Sequence, residues 1–166
     1  DASRSDPTYL FEVIEAVRGV VGRDFPVWCR LHACELGIKD GLTLGEALEI
    51  SKMVAGTSID AIRVSAYGLG KFSEYMFPEI PGSLIHYAEA VKKVVHQPVM
   101  GVGMITPEIG ERALIDEKID MVALGRALIA DPEFPNKVIS GKVEDIIPCI
   151  NCYVCQDVRY AGGPIR

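Results

Sequence analysis

Apolar positions along this chain keep two alternating periods. In "YLFEVIEAVRGVVG", Leu10, Val13, Ile14, Val17, Val20 and Val21 recur at the spacing of one helical face, and Gly22 closes the run as a helix stop. "PVWCRLHA" follows Pro26 as a short apolar strand. "TLGEALEISKMVAG" returns to helical spacing, with Thr43 placed as N-cap and Glu46 at the capping-box position. The exchange then repeats: "IDAIRVSA" reads as strand, "SLIHYAEAVKKVV" as helix with Lys92 and Lys93 near its negative end, and "QPVMGVGM" as strand. "TPEIGERALIDEK" is helix, "IDMVALG" strand and "DPEFPNKVISG" a final helix.

This order predicts a helix followed by four strand–helix units, with no internal sequence repeat beyond the alternation. Such alternation favours an α/β fold, a parallel sheet with helices outside it. The strands are short and apolar, as expected where both faces are covered. "AYGLGKFSEYMFPEIPG" is long for an α/β connection, which makes it either a candidate functional segment or a surface insertion.

Composition narrows the classes. The chain has 166 residues, 49% of them apolar, enough for one ordinary domain with a buried core. A formal charge of −6 and the lack of a Lys/Arg cluster weigh against nucleic acid as a partner. No apolar run approaches the ~20 residues of a membrane span, so no membrane role is expected. "DASRSDP" lacks the basic-then-apolar pattern of a secretory signal, and a cytoplasmic setting is expected. In that setting a close set of cysteines suggests metal more readily than disulfides.

Two strand ends carry the first candidate site. Gly101 and Gly103 stand where a strand gives way to a helix opened by Thr106 and Pro107, and Gly125 and Arg126 stand at the next strand end. Glycine lets a ligand approach the backbone, helix N–H groups attract an anion, and Arg126 can add a bidentate contact to phosphate. Either glycine pair alone is compatible with plain turn chemistry. In (β/α)8 barrels the loops after the last two strands often bind phosphate together with a short extra helix.

The strand "PVWCRLHA" carries the second. Period two puts Trp28, Arg30 and His32 on one face. An arginine inside an apolar strand needs an anionic partner, either a carboxylate of the fold or a ligand whose negative charge grows during reaction. His32 can touch such a ligand or serve as a hydrogen-bonded structural residue. Arg63 and Ser65 share a face of the next strand and receive no role, Cys29 and Cys34 are expected in apolar packing, and His86 and His96 on helix surfaces.

The third candidate is "CINCYVC". Cys149, Cys152 and Cys155 have the tight spacing of ferredoxin-type iron–sulfur ligands. Zinc also takes thiolates, but usually from two Cys-x2-Cys pairs or with histidines at set spacing. Three thiols are one short of the usual four ligands.

"PVMGVGMITPE" followed by "IDMVALGRALIADPEFPNKV" resembles the last two strand–helix units of the Old Yellow Enzyme family of FMN-dependent NADH:flavin oxidoreductases. The resemblance runs through most of the chain, and Gly-Arg-Ala-Leu-Ile-Ala-Asp-Pro is its most specific stretch. It implies FMN phosphate at Gly103, Gly125 and Arg126, and Arg30 at the edge of the reduced flavin, with His32 as a further contact. The cysteine segment is similar to that of the iron–sulfur subgroup typified by 2,4-dienoyl-CoA reductase and trimethylamine dehydrogenase. That likeness implies a 4Fe-4S cluster on Cys149, Cys152 and Cys155, with the fourth ligand beyond Arg166.

The resemblance further implies residues 1–147 as the C-terminal half of a TIM (β/α)8 barrel binding FMN, with about four parallel strands, and 148–166 as a truncated cluster loop. The family's N-terminal half, including its Gly-Gly-Ser…Asn-Arg stretch, has no counterpart. Neither do downstream domains for FAD and a nicotinamide. The parent is expected to pass hydride or electrons between NAD(P)H, FMN and an enoate, enone or amine, as a homo-oligomer. These residues alone are expected to be inactive and to leave strand edges exposed. A flavin-free, aldolase-like phosphate-binding barrel and a structural zinc module are the alternatives.

Overall fold

The computed structural model describes residues 7–69 and 80–164. The long connection singled out above falls largely on 70–79, outside the described residues. Helix α1 spans Thr8–Val21 and ends at Gly22, whose φ of 78° turns the chain while its N–H bonds Arg18 O at 2.9 Å. The alternation follows: β1 Trp28–Leu36, α2 Leu44–Ala55, β2 Ala61–Gly68, α3 Ile85–Lys92, β3 Val99–Gly101, α4 Pro107–Ile115 and β4 Met121–Val122. Three short α-helices follow among the described residues, α5 Arg126–Ala130, α6 Phe134–Ile139 and α7 Val154–Tyr160.

All strand pairs are parallel and the sheet order is β1-β2-β3-β4. An open doubly wound sheet reverses its strand order to place helices on both faces. Here the order never reverses. With right-handed crossovers, the helices that connect the strands, α2, α3 and α4, then fall on one face and the sheet curls toward closure. This is a partial TIM barrel, four strands of an eight-stranded plan.

The helix-covered face is the core. Ile62, Val64 and Val99 are completely or almost completely buried and pack with Val54, Ala88, Val91, Ala113 and Ile119. Register is set at the N-terminal ends of the strands by two carboxylates in equivalent places. Asp60 accepts from Val27 N at 2.7 Å and from Arg18 Nη2 at 2.5 Å, and Asp120 accepts from Val99 N at 2.8 Å and from Lys92 Nζ at 2.9 Å. Both sit at the end of the sheet opposite the strand tips that carry the candidate residues.

The capping box forms as the sequence predicts: Glu46 N donates to Thr43 Oγ1 at 3.3 Å and Thr43 N donates to Glu46 Oε2 at 2.9 Å. Thr43→Ala removes one side of this exchange and is expected to cost about 1 kcal/mol. Urea unfolding of the two proteins, compared at equal m-value, measures it. Thr106 likewise caps α4, accepting from Ile109 N at 3.4 Å, with Pro107 in the first turn.

Element boundaries depart from the sequence expectation in five elements. β1 continues to Leu36, through a register shift between His32 and Glu35 that interrupts the two-residue period. β3 and β4 shrink to three and two residues. The stretch after β4 holds α5 as a separate helix, and the cysteine segment, read as loop, contains α7. The described chain separates into two compact units, Asp1–Leu124 and Gly125–Arg166. No helix among the described residues is long and apolar enough to cross a membrane.

Candidate functional site

In the first unit the second face of the sheet carries the polar candidate residues. Registry aligns Arg30 with Arg63 and Met100 with Met121, and places His32 beside Ser65. Partners on adjacent strands lie about 5 Å apart, so Arg30 and Arg63 put two positive charges side by side. Arg30 Nε donates to Ser65 Oγ at 3.0 Å and Arg30 Nη2 contacts His32 Nε2 at 2.5 Å. A guanidinium only donates, so His32 Nε2 must be the acceptor and the ring proton must lie on Nδ1. His32 stacks on Tyr67 with ring centroids 5.9 Å apart.

The electrostatics agree with that assignment. Burial, then the Arg30 charge, hold the His32 pKa below the usual imidazole value against an opposing pull from Glu35. The ring is therefore neutral at pH 7. Arg30 is itself pushed down from its ordinary value, first by burial and then by Arg63. Arg63 Nε is buried and has no hydrogen-bond partner among the described residues. Two crowded guanidiniums, one with an orphaned donor, form a face suited to an anionic or electron-rich group. Arg63 was legible by the same alternation that picked out Arg30; only its registry with Arg30 required the fold.

The cysteines of β1 are structural. Cys34 is buried, and burial raises the Cys29 thiol to about 11, so neither supplies a thiolate near neutrality.

The strand tips divide. Gly103 has φ 122°, and a Cβ there would meet Leu84 at 3.1 Å, so backbone geometry and packing require glycine independently of any ligand. Its carbonyl accepts from Gly82 N at 2.8 Å, fixing the tip of β3 to the start of the α3 region. At Gly101 a Cβ would meet Ile119 at 2.9 Å, which is close packing of strand on chain. Gly125, in the second unit, is different: a Cβ added there meets nothing within 4 Å. Open space at that position leaves room for a group to approach the backbone.

Also in the second unit, Arg126 opens α5. Its Nη1 donates to Asn151 Oδ1 at 2.8 Å, and its guanidinium lies 5.3 Å from the Tyr153 ring centroid. Asn151 and Tyr153 stand in the two gaps of Cys-x2-Cys-x2-Cys, and both have left-handed backbone, φ 56° and 60°. Asn tolerates that conformation; a tyrosine adopts it at a cost. Cys149 and Cys155 are half-buried, Cys152 is exposed, and all three are free thiols. Cys149 Sγ is 3.7 Å from Asn151 Oδ1. Among the described residues no three Cys, His, Asp or Glu side chains converge closely enough to hold a metal ion as they stand. The donor set still fits iron–sulfur chemistry, and metal-binding loops commonly take their final shape with the metal.

Asp131 holds the approach to the cysteines. Almost fully buried, it accepts from Lys137 Nζ at 2.7 Å, Ile147 N at 2.9 Å and Glu133 N at 3.1 Å. The Lys137 bond first, then the Ile147 N–H, hold its pKa below the usual carboxylate value. A depressed carboxylate contributes stability that is complete above its unfolded value, about pH 4, and lost as pH falls through the folded one. Acid titration followed by amide exchange at Ile147 is expected to show that limb, and Asp131→Asn to flatten it. An unchanged limb in Asp131→Asn would place the acid sensitivity elsewhere.

Residues 7–145 match the NADH:flavin oxidoreductase / NADH oxidase family. The chain belongs to that family. It is 36% identical over 149 residues to an NADH oxidase of Thermoanaerobacter brockii, covering 88% of this chain and 23% of that protein. A cinnamate reductase of Clostridium sporogenes is 32% identical over 160 residues, covering 87% of this chain and 24% of the relative. Among solved structures, a 2-naphthoyl-CoA reductase in complex with 2-naphthoyl-CoA superposes with a TM-score of 0.77 at 31% identity, covering 89% of this chain and 23% of that one. The chain thus spans about a quarter of the length of these relatives. The family match includes Arg30, His32, Gly103, Gly125 and Arg126, whereas Cys149, Cys152 and Cys155 lie beyond it.

Proposed function

We propose that this chain is the C-terminal half of the FMN-binding barrel of an oxidoreductase that also carries a 4Fe-4S cluster. One observation supports the flavin reading above the others: Arg30 and Arg63 stand in registry on the sheet face turned away from the core, with Arg63 Nε orphaned. When bound, FMN supplies a centre that accepts two electrons and can pass them on singly.

The residues of the chain do the rest. Arg30 donates toward the flavin edge on which negative charge grows, and Ser65 and neutral His32 hold its guanidinium in place. The open backbone at Gly125 and the charge of Arg126 suit the phosphate end of the flavin, and the family's pattern assigns Gly103 to phosphate as well. Cys149, Cys152 and Cys155 would supply three of the thiolates that hold such a cluster. NAD(P)H as reductant, FAD in a further domain, an enoate, enone or amine as substrate, and a homo-oligomeric parent complete the proposal.

The test is an absorption spectrum of the complete polypeptide purified without oxygen. Flavin bands over broad iron–sulfur absorption, with FMN released on denaturation, are the expected result. A protein without flavin indicates the aldolase-like alternative, and a colourless protein containing zinc indicates the structural module. The 166 residues alone are expected to give no steady NADH-dependent turnover.

A further inference from the structure

We propose that Arg126 is the pin of the cysteine segment, acting through Asn151 and Tyr153 as a positioning residue. The proposal deepens the reading above by giving the arginine assigned to phosphate a second task. The loop geometry on which it rests involves no cofactor.

Three observations within the second unit converge. First, the residues with left-handed backbone between the cysteines, Asn151 and Tyr153, are the two that address the Arg126 guanidinium, one by a 2.8 Å hydrogen bond and one by its ring face. Left-handed backbone at a bulky residue persists only where surrounding contacts over-determine it, and the cation over the Tyr153 ring is one such contact. Second, Asn151 Oδ1 also lies 3.7 Å from Cys149 Sγ, so one amide oxygen joins the first thiol to Arg126. Third, the Tyr153 carbonyl accepts from Gln156 N at 2.8 Å and Asp157 N at 3.1 Å, opening α7 and thereby placing Cys155 in its first turn. Arg126 thus reaches Cys149 through Asn151 and Cys155 through Tyr153. Cys152, between them, stays exposed. The guanidinium's fork and flat face are both used, which a lysine cannot reproduce.

The experiment measures alkylation of each cysteine with iodoacetamide, by mass spectrometry, in the reduced, metal-free full chain. Cys152 is the exposed reference, and Cys29 and Cys34 report global unfolding. Asn151→Gly relieves the left-handed backbone but deletes the acceptor, whereas Asn151→Asp keeps an acceptor for Arg126. A hydrogen bond to a charged group is worth enough that Asn151→Gly is expected to speed Cys149 about tenfold relative to Cys152, and Cys155, reached through Tyr153, less. Asn151→Asp is expected to stay near the parent rate. Arg126→Met removes the Asn151 bond and the Tyr153 contact together and is expected to speed both Cys149 and Cys155, and at Cys149 the double variant Arg126→Met with Asn151→Gly is expected to be no faster than Arg126→Met alone.

Equal rates in Asn151→Gly and the parent, equally fast Asn151→Gly and Asn151→Asp, or additive effects in the double variant would overturn the proposal. If Asn151→Gly also exposes Cys29 and Cys34, the Arg126→Met chain decides the matter in the same assay. Iron content of the complete parent polypeptide is measured separately, so failure of the cluster reading is told apart from failure of the pin.

Discussion

Replacing Arg30 by methionine in the complete polypeptide is expected to slow flavin reduction about 10²- to 10³-fold, the usual consequence of deleting one preorganised donor at a site of developing charge. The residue meets the physical conditions for that effect. Its guanidinium is held by two side chains, Ser65 and His32, so little reorganisation is needed when charge appears. It is partly desolvated and crowded by Arg63, so its interaction with an anion is stronger than in bulk water. Arg30→Lys keeps the charge but cannot hold both partners in one plane, and an intermediate rate is expected. Anaerobic stopped-flow at the flavin absorbance, normalised to bound FMN, measures both variants. If Arg30 instead serves only as half of a structural ion pair, Arg30→Met will lower the melting temperature and leave the reduction rate of the surviving holoenzyme unchanged.

Serine at any one of Cys149, Cys152 or Cys155 is expected to remove most of the iron and the broad visible absorption, while the flavin bands persist. Iron–sulfur clusters depend on soft thiolate ligands, and a serine hydroxyl is harder and far less acidic. Cys152 is the most informative position. It is exposed, so loss of iron there reports ligation more directly than at the half-buried Cys149 and Cys155. Full iron content in all three variants would exclude the segment as a cluster site. Retention in Cys152→Ser alone would move that ligand to another residue. Iron and flavin assayed on the same sample keep this test independent of the Arg30 experiment.

Much of this could be read without coordinates because the relevant forces are local. The alternation of periods named the units from α1 to α4 in order, since burial of one helical face or of a short apolar strand leaves its period in the sequence. Thr43, Thr106 and Gly22 marked helix ends because capping acts over three or four residues. Arg30 stood out because a charge in an apolar strand requires a partner. Less of the chain after β4 was legible. Runs as short as α5 and α7 carry too few turns for a period to show, and the left-handed backbone at Tyr153 contradicts the residue's own preference.

By itself, then, the sequence determined the parallel α/β alternation, the helix caps, the strand face bearing Arg30 and His32, and the three-thiol spacing. Each depends on neighbours within a few residues. Only the tertiary structure decided that Arg63 stands in registry with Arg30, that His32 is a neutral acceptor rather than a second cation, and that Gly103 is required by Leu84 while Gly125 faces open space. It also decided that Arg126 turns to Asn151 and Tyr153. The Arg126–Asn151 and Arg30–Ser65 bonds join side chains 25 and 35 positions apart, and no local period records which distant residue will close such a distance.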